Sequence, residues 1–361
     1  MRDVDSTIGQ PLTGRVLRTV LVLVTLCLGG CSTVGFYGQA VVGQLSLLMH
    51  RRPIDKVLAD PHTSPTLRHK LEVAQAVRKY AAGLGLSVGG SYSTYEDIGR
   101  PYVVWNVFAA PEFSLVPRTF CYPIAGCVSY RGYFSKAKAQ RFAKALAADG
   151  YDVYMGGVAA YSTLGWFNDP VLNTFVNRSD ADLAALLFHE LAHKTLYVKG
   201  DTRFNESYAT AVEQVALKRW LAGQGKPEAF SDYKADRERR SKVIALIEAT
   251  NRRLQSLYAG DLEPDAMRAA KARNIAELRR QYDALREGWG QHDDFAWWMK
   301  TPINNAKLGT IATYNDWVSG FKALLAARDG DMPAFLREVK VLAKLPAKQR
   351  DAKMAALSGS S

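Results

Sequence analysis

Hydrophobic positions along this chain recur mostly at helical spacing, with a few short runs of strand-like alternation between them. Residues 39–50 and 65–84 predict two helices, separated by Pro53 and Pro61. Residues 102–108 are aromatic and β-branched and predict a strand. An amphipathic helix is expected at 136–148, then a second strand at 152–155. Residues 181–197 hold no Gly or Pro, and Leu183, Leu186, Leu187 and Leu191 fall on one helical face. Capping side chains precede that run at 177–180, and Gly200 and Asp201 supply turn chemistry after it. Another helix is expected over 204–221, and two long charged helices over 235–258 and 265–287, joined at Gly260. The charge of that pair predicts a solvated helical hairpin. The fold class is therefore α+β, predominantly helical, with a small mixed sheet and a long helical hairpin inserted at 227–290.

The N-terminus changes the picture of where this domain works. Arg15 and Arg18 precede an apolar run over 19–28, too short to span a bilayer but suited to a signal-peptide core. It ends in Leu28-Gly29-Gly30-Cys31, where small residues before a cysteine form a lipobox, with cleavage after Gly30 and acylation of Cys31. A plain secretory signal with an incidental cysteine is the alternative. The expected division is a signal at 1–30 and one domain at 31–361. Ser32, rather than Asp, suits an outer-membrane lipoprotein on the periplasmic face of a diderm envelope. Cys27 leaves with the signal, so Cys121 and Cys127 remain as a pair in an oxidising compartment. A local disulfide around the turn at 122–126 is expected, with a cysteine metal site as the alternative.

Residues 1–30 carry three basic and two acidic side chains, so their loss takes the net charge from +12 to +11. In an envelope protein that balance points away from nucleic acid and toward anionic lipid or lipopolysaccharide phosphates. Apolar residues at 48% suffice for a substantial core.

The chemistry concentrates at His189-Glu190-Leu191-Ala192-His193. Four residues make about one helical turn, so both imidazoles leave the same face and can share a Zn²⁺. Glu190 is then placed to act as base on the attacking water. Two histidines inside an apolar helix would be costly to bury without a shared partner. A catalytic zinc takes a third protein ligand. Glu206, in Asn205-Glu206-Ser207-Tyr208-Ala209, opens the next helix after a short turn and is the expected ligand. Glu213, two turns on, is the rival or a hydrogen-bond acceptor behind a histidine.

This pairing of HExxH with NExxA resembles the gluzincin metallopeptidases. More closely, the chain is similar to the bacterial family of zinc aminopeptidases that carry lipoprotein signals, through stretches 102–107, 121–127, 130–134, 160–166, 188–193 and 204–209. The resemblance implies a zincin-like catalytic domain, a peptide substrate, His189, His193 and Glu206 as zinc ligands, and Glu190 as general base. Many zincins lay substrate along an edge strand before the motif helix, which makes Gly157, Val158, Ala159 and Tyr161 candidates for that strand; an ordinary glycine-rich turn is the alternative. For the oxyanion, gluzincins commonly use a Tyr or His from beyond the motif helices. Tyr314 is the first candidate and Tyr161 the second, and either can equally be core. The segments at 304–308 and 314–317 are candidates to return to the site. An aminopeptidase also needs an acid for the substrate amine. Residues 157–161 hold none, leaving Asp169, Glu96 or Asp97, with an envelope endopeptidase or a non-catalytic zinc-binding lipoprotein as other readings.

Overall fold

Alternation with a period of two along residues 104–111 buries Trp105, Val107 and Ala109 on one face and seeds the largest sheet. In the computed structural model, residues 43, 47, 49–122, 126–160, 168–290, 293–311 and 317–359 are described. Residues 1–49 form one unit and 50–361 another. Of the helix expected at 39–50, only residues 43, 47 and 49 are described as helical.

From His50 onward the first elements are β1 (Arg52–Pro53), α1 (Ile54–Ala59) and α2 (Pro65–Gly83). Ser64 caps α2 by accepting from Leu67 N at 3.2 Å, and Pro65 fits the first turn, where no N–H is needed. Next come β2 (Thr94–Glu96), β3 (Val104–Pro111), β4 (Phe120–Tyr122), β5 (Gly126–Val128), β6 (Tyr130–Tyr133), α3 (Lys136–Ala148) and β7 (Tyr151–Val158). The antiparallel sheet runs β6-β3-β7, and α3 packs over its apolar face. Trp105, Val107, Phe120, Tyr133, Ala139 and Leu146 make up much of that core. Cys121 and Cys127 face each other across β4 and β5 and are joined by a disulfide.

Both strands of the main sheet differ from the expected bounds. Strand β3 lies at 104–111 rather than 102–108, and β7 reaches Val158 rather than ending at Met155. Gly156 and Gly157 therefore lie inside a strand, paired with Asn106 and Trp105, and not in a glycine-rich turn.

After β7 follow β8 (Val171–Leu172), α4 (Asn173–Val176), α5 (Asp180–Thr195) and α6 (Thr202–Gly223). Strand β2 joins β1 antiparallel on one side and β8 parallel on the other, in a sheet of very short strands. Helices α5 and α6 pack on each other, with α2 against α5. The long pair is α7 (Pro227–Tyr258) and α8 (Pro264–Leu285), the first starting eight residues before the expected 235. It is not simply a solvated hairpin: Val243, Ile247, Leu254, Leu278 and Tyr282 close around Phe295, Trp298 and Leu308.

The chain ends in α9 (Ala296–Lys300), α10 (Asn305–Leu308), α11 (Val318–Ala326), α12 (Met332–Ala343) and α13 (Ala347–Gly359). Segment 304–308 returns to the sheet rather than to the histidines. Asn304 Nδ2 donates to Val153 O at 2.9 Å, and Asn305 Nδ2 donates to Glu112 O at 2.8 Å. Lys271 Nζ bonds Asp152 at 2.6 Å beside it, so α8 and α10 together fasten one end of the β3–β7 pair. Helix α11 packs on α6, burying Phe321 against Phe204 and Tyr208.

Candidate metal centre

Helix α5 forms because Ser179 caps it and its apolar residues all find cover. Ser179 Oγ accepts from Asp182 N at 3.0 Å, and Leu183, Leu187, Phe188 and Leu191 are fully buried. Asp180 in the first turn suits the positive helix end, and it also accepts from Lys70 at 2.5 Å and His69 at 2.8 Å on α2. That anchoring fixes the rotation of α5, and with it the direction of His189 and His193. Helix α6 is set by its own cap. Asp201 Oδ1 accepts from Phe204 N at 3.0 Å, while Oδ2 takes Arg350 of α13 at 2.5 Å.

Asn205 then fixes the connection between the two helices. Its side chain accepts from Val198 N and donates to Val198 O, both at 2.8 Å. This places Glu206, the next residue, opposite the histidines. The two Nε2 atoms lie 3.1 Å apart, Glu206 Oε2 lies 3.3 Å from His189 Nε2, and Glu206 Oε1 lies 3.5 Å from His193 Nε2. One ligand atom from each residue falls within 4.8 Å of the others, the one such group of three or more among the described residues.

Those separations fit a metal. Ligands about 2.0–2.1 Å from a tetrahedral zinc stand roughly 3.3 Å from one another, which is the size of this triangle. The donor set, two imidazole nitrogens and one carboxylate, leaves a fourth position for water or substrate. Glu206 is 36% exposed while His193 is 6% exposed, so the triangle is most open on the carboxylate side. His193 Nδ1 is buried with no hydrogen-bond partner among the described residues.

Glu213 takes a different place. Its Oε2 accepts from His189 Nδ1 at 2.8 Å, and its Oε1 accepts from the Tyr233 hydroxyl. A histidine fixed in this way presents Nε2 outward, as in the carboxylate–histidine–zinc arrangement. Tyr233, near the start of α7, was not singled out from the sequence, because nothing in its spacing relates it to the histidines. Burial, then the nearby Glu213 charge, pushes its hydroxyl up, which keeps it a donor.

Electrostatics binds the cluster tightly even without a cation. Burial opposes a charged His189, but hydrogen bonds to Glu206 and Glu213 outweigh it and push the imidazole up to about 10. Burial likewise opposes ionised Glu206, yet both histidines hold its carboxyl well below the usual range.

Glu190 is half-buried on α5, and its charge reaches both His189 and Tyr92. Tyr92 was also missed. It is buried with φ 57°, an outlying backbone conformation for so bulky a residue, and its N–H donates to Asp169 O at 2.6 Å. Burial, with the charges of Glu190 and Asp169, pushes its phenol well up. Among the candidate acids, Asp169 thus neighbours the surroundings of Glu190. Glu96 is buried on β2 with Oε2 unpartnered, and Asp97 accepts from Gly99 N at 2.8 Å.

Among the described residues strand β7 is an edge strand, bonded to β3 on one side. The Tyr102 ring covers Gly157 so closely that a Cβ there would meet it at 2.3 Å. Val158 O accepts from Val103 N at 2.9 Å, and Ala159 O accepts from the Thr174 hydroxyl. Tyr161, Tyr314 and Cys31 lie outside the described residues. Trp317 packs on the first turn of α6, with Arg203 stacked over its ring at 4.1 Å.

A family model described as "Putative aminopeptidase" matches residues 35–354. The chain belongs to this family. As an aminopeptidase family member it keeps the whole α5–α6 constellation, the disulfide and the main sheet inside the matched region. No curated protein and no solved structure gives a significant match.

Proposed function

We propose that this chain is a zinc-dependent peptidase of the cell envelope, acting as an aminopeptidase. The observation that carries the proposal is the His189–His193–Glu206 triangle, with Glu213 seated behind His189. His189, His193 and Glu206 would hold a zinc ion there, which would supply Lewis acidity toward water and the scissile carbonyl. His189 and His193 each offer Nε2 as ligand, and Glu206 offers its carboxylate. Glu190 accepts the attacking water's proton and delivers it to the leaving amine. The edge of β7 near Gly157–Val158 aligns the peptide by strand addition. Tyr314 is the proposed oxyanion donor. Asp169 is the acid proposed to receive a substrate amine; its charge and that of Glu190 both reach Tyr92.

In this reading residues 1–30 are a signal, Cys31 carries the lipid, and 31–361 fold as a zincin-like domain with 227–290 inserted after the ligand helix. An endopeptidase is the second reading, favoured by the lack of any acid within β7 beyond Asp152 at its far end. Metal analysis combined with cleavage of free-amine and N-blocked peptides decides among these. Zinc near one per chain and chelator-sensitive cleavage of free-amine peptides alone is the expected result. Cleavage of blocked peptides makes it an endopeptidase, and zinc without cleavage of either makes it a binding protein.

A further inference from the structure

Helices α6, α7 and α11 line a half-open pocket of about 920 Å³ that holds none of the proposed metal ligands. Its volume lies in the roughly 300–1,000 Å³ range of pockets that enclose small ligands. Val215 and Ala222 of α6, Phe230 and Ile244 of α7, and Val318 and Leu325 of α11 supply an apolar lining. Six cations share the same walls: Lys218, Arg219, Lys234, Arg237, Arg240 and Lys322. The one carboxylate in the lining, Glu238, sits 3.5 Å from Lys234. Arg219 donates to Gly330 O at 2.9 Å, and Lys322 donates to the neutral Gln214. Lys218 and Arg237 have no carboxylate partner among the described residues. The cations are close enough to oppose one another: burial, then Lys234, Lys218 and Arg237, lowers the proton affinity of Lys322 against the opposing charge of Glu213.

An apolar pocket with six cations and one carboxylate in its lining favours an anionic guest. We propose that it binds an amphipathic anion, a single acyl chain ending in a carboxylate or a phosphate. The chain needs no hydrogen bonds and fits the apolar walls, while the head group neutralises Lys218 and Arg237. A peptide fits less well. Its backbone N–H groups need acceptors, and Gln214 and Glu238 are already engaged by Lys322 and Lys234. Tyr233 forms part of the wall, so the cavity backs onto the support of His189 without including the proposed metal ligands.

The test is a fluorescence titration of the full, zinc-supplemented protein with cis-parinaric acid, an emissive long-chain carboxylate. One-to-one saturable binding is expected, at least tenfold tighter than that of the matching neutral alcohol. The double reversal Lys218→Glu/Arg237→Glu should weaken it at least tenfold. Val215→Trp, which fills the cavity and keeps every cation, should also abolish it. Displacement by palmitate or by a lysophosphatidate supports the proposal, and the stronger competitor identifies the preferred head group. Equal binding of acid and alcohol, full binding in both variants, or displacement by an acidic peptide but neither acyl anion would overturn it.

Discussion

Replacing Glu213 by Gln isolates the contribution of the carboxylate behind His189. The carboxylate presents one oxygen to each of two donors, Oε2 to His189 Nδ1 at 2.8 Å and Oε1 to the Tyr233 hydroxyl. Glutamine matches it in size but has one carbonyl oxygen and one NH₂. With its carbonyl toward His189 Nδ1 and its NH₂ toward the Tyr233 hydroxyl, which can turn to accept, the amide keeps both contacts but loses the negative charge, at a position that is 5% exposed. A hydrogen bond to a charged group is worth about 1.5–3 kcal/mol, so removing the charge costs at most that much, up to roughly 10- to 150-fold in an equilibrium constant. Losses of about 10–100-fold in metal affinity on removing such supports fall in the same range. Competition for zinc against a chromophoric chelator reads this directly, and thermal unfolding of the metal-free variant confirms that it folds. Tyr233→Phe, which leaves the carboxylate charge in place, should give a smaller loss. A zinc Kd for the folded Glu213→Gln protein within twofold of the parent would refute the assignment of Glu213 to His189.

The other expectations concern different links. Glu190→Gln should lower peptide turnover by about 10²–10⁴-fold while zinc stays near one per chain, measured by metal analysis beside a peptidase assay. Hydrogen bonds from Lys70 and His69 overcome burial and hold Asp180 below its ordinary 3.8. Its contribution is therefore complete above pH 3.8 and lost as pH falls through the lowered value; Asp180→Asn should flatten that acid limb of stability in denaturant titrations. Gly157→Ala brings a methyl into the Tyr102 ring and should cost about 1–3 kcal/mol, recovered in the double variant with Tyr102→Ala. Lys307 is fully buried and donates to Trp298 O at 2.5 Å and Thr301 Oγ1 at 2.6 Å, so Lys307→Met should cost about 1–3 kcal/mol for each acceptor left unpaired, read from urea midpoints.

Features written in local sequence were the readable ones. The helix at Asp180–Thr195 follows from its cap, its apolar stripe and its freedom from Gly and Pro, and the histidine pair rides on that stripe. Glu206 was visible because only a short turn separates it from His193. Tyr233 and Tyr92 were not visible, since each reaches the site through tertiary packing and neither lies at a meaningful spacing from it. The start of α7 at Pro227 did have a signal, proline in a first helical turn, but the charged run at 235 masked it. Strands β1, β2 and β8 are two or three residues long and pair across wide gaps in sequence, too little for any periodicity to register. The three closing helices were missed as well, although Phe321 and Phe335 brace the face of α6 near Tyr208.

The Asn205 amide gives the link between α5 and α6 an unusual tolerance profile. Surface connections generally accept inserted residues more readily than core positions accept altered ones. Here the two bonds to Val198 measure out the chain between His193 and Glu206, so length becomes the guarded quantity and side-chain identity the free one. Lys199 is exposed and can vary in kind, whereas Tyr197, also exposed, sets its ring 6.1 Å from that of His193. One extra residue between Tyr197 and Lys199 would shift the frame in which Asn205 meets Val198 and carry Glu206 out of step with both histidines. For a designer, this short loop is a spacer of fixed calibre and a poor place to graft anything.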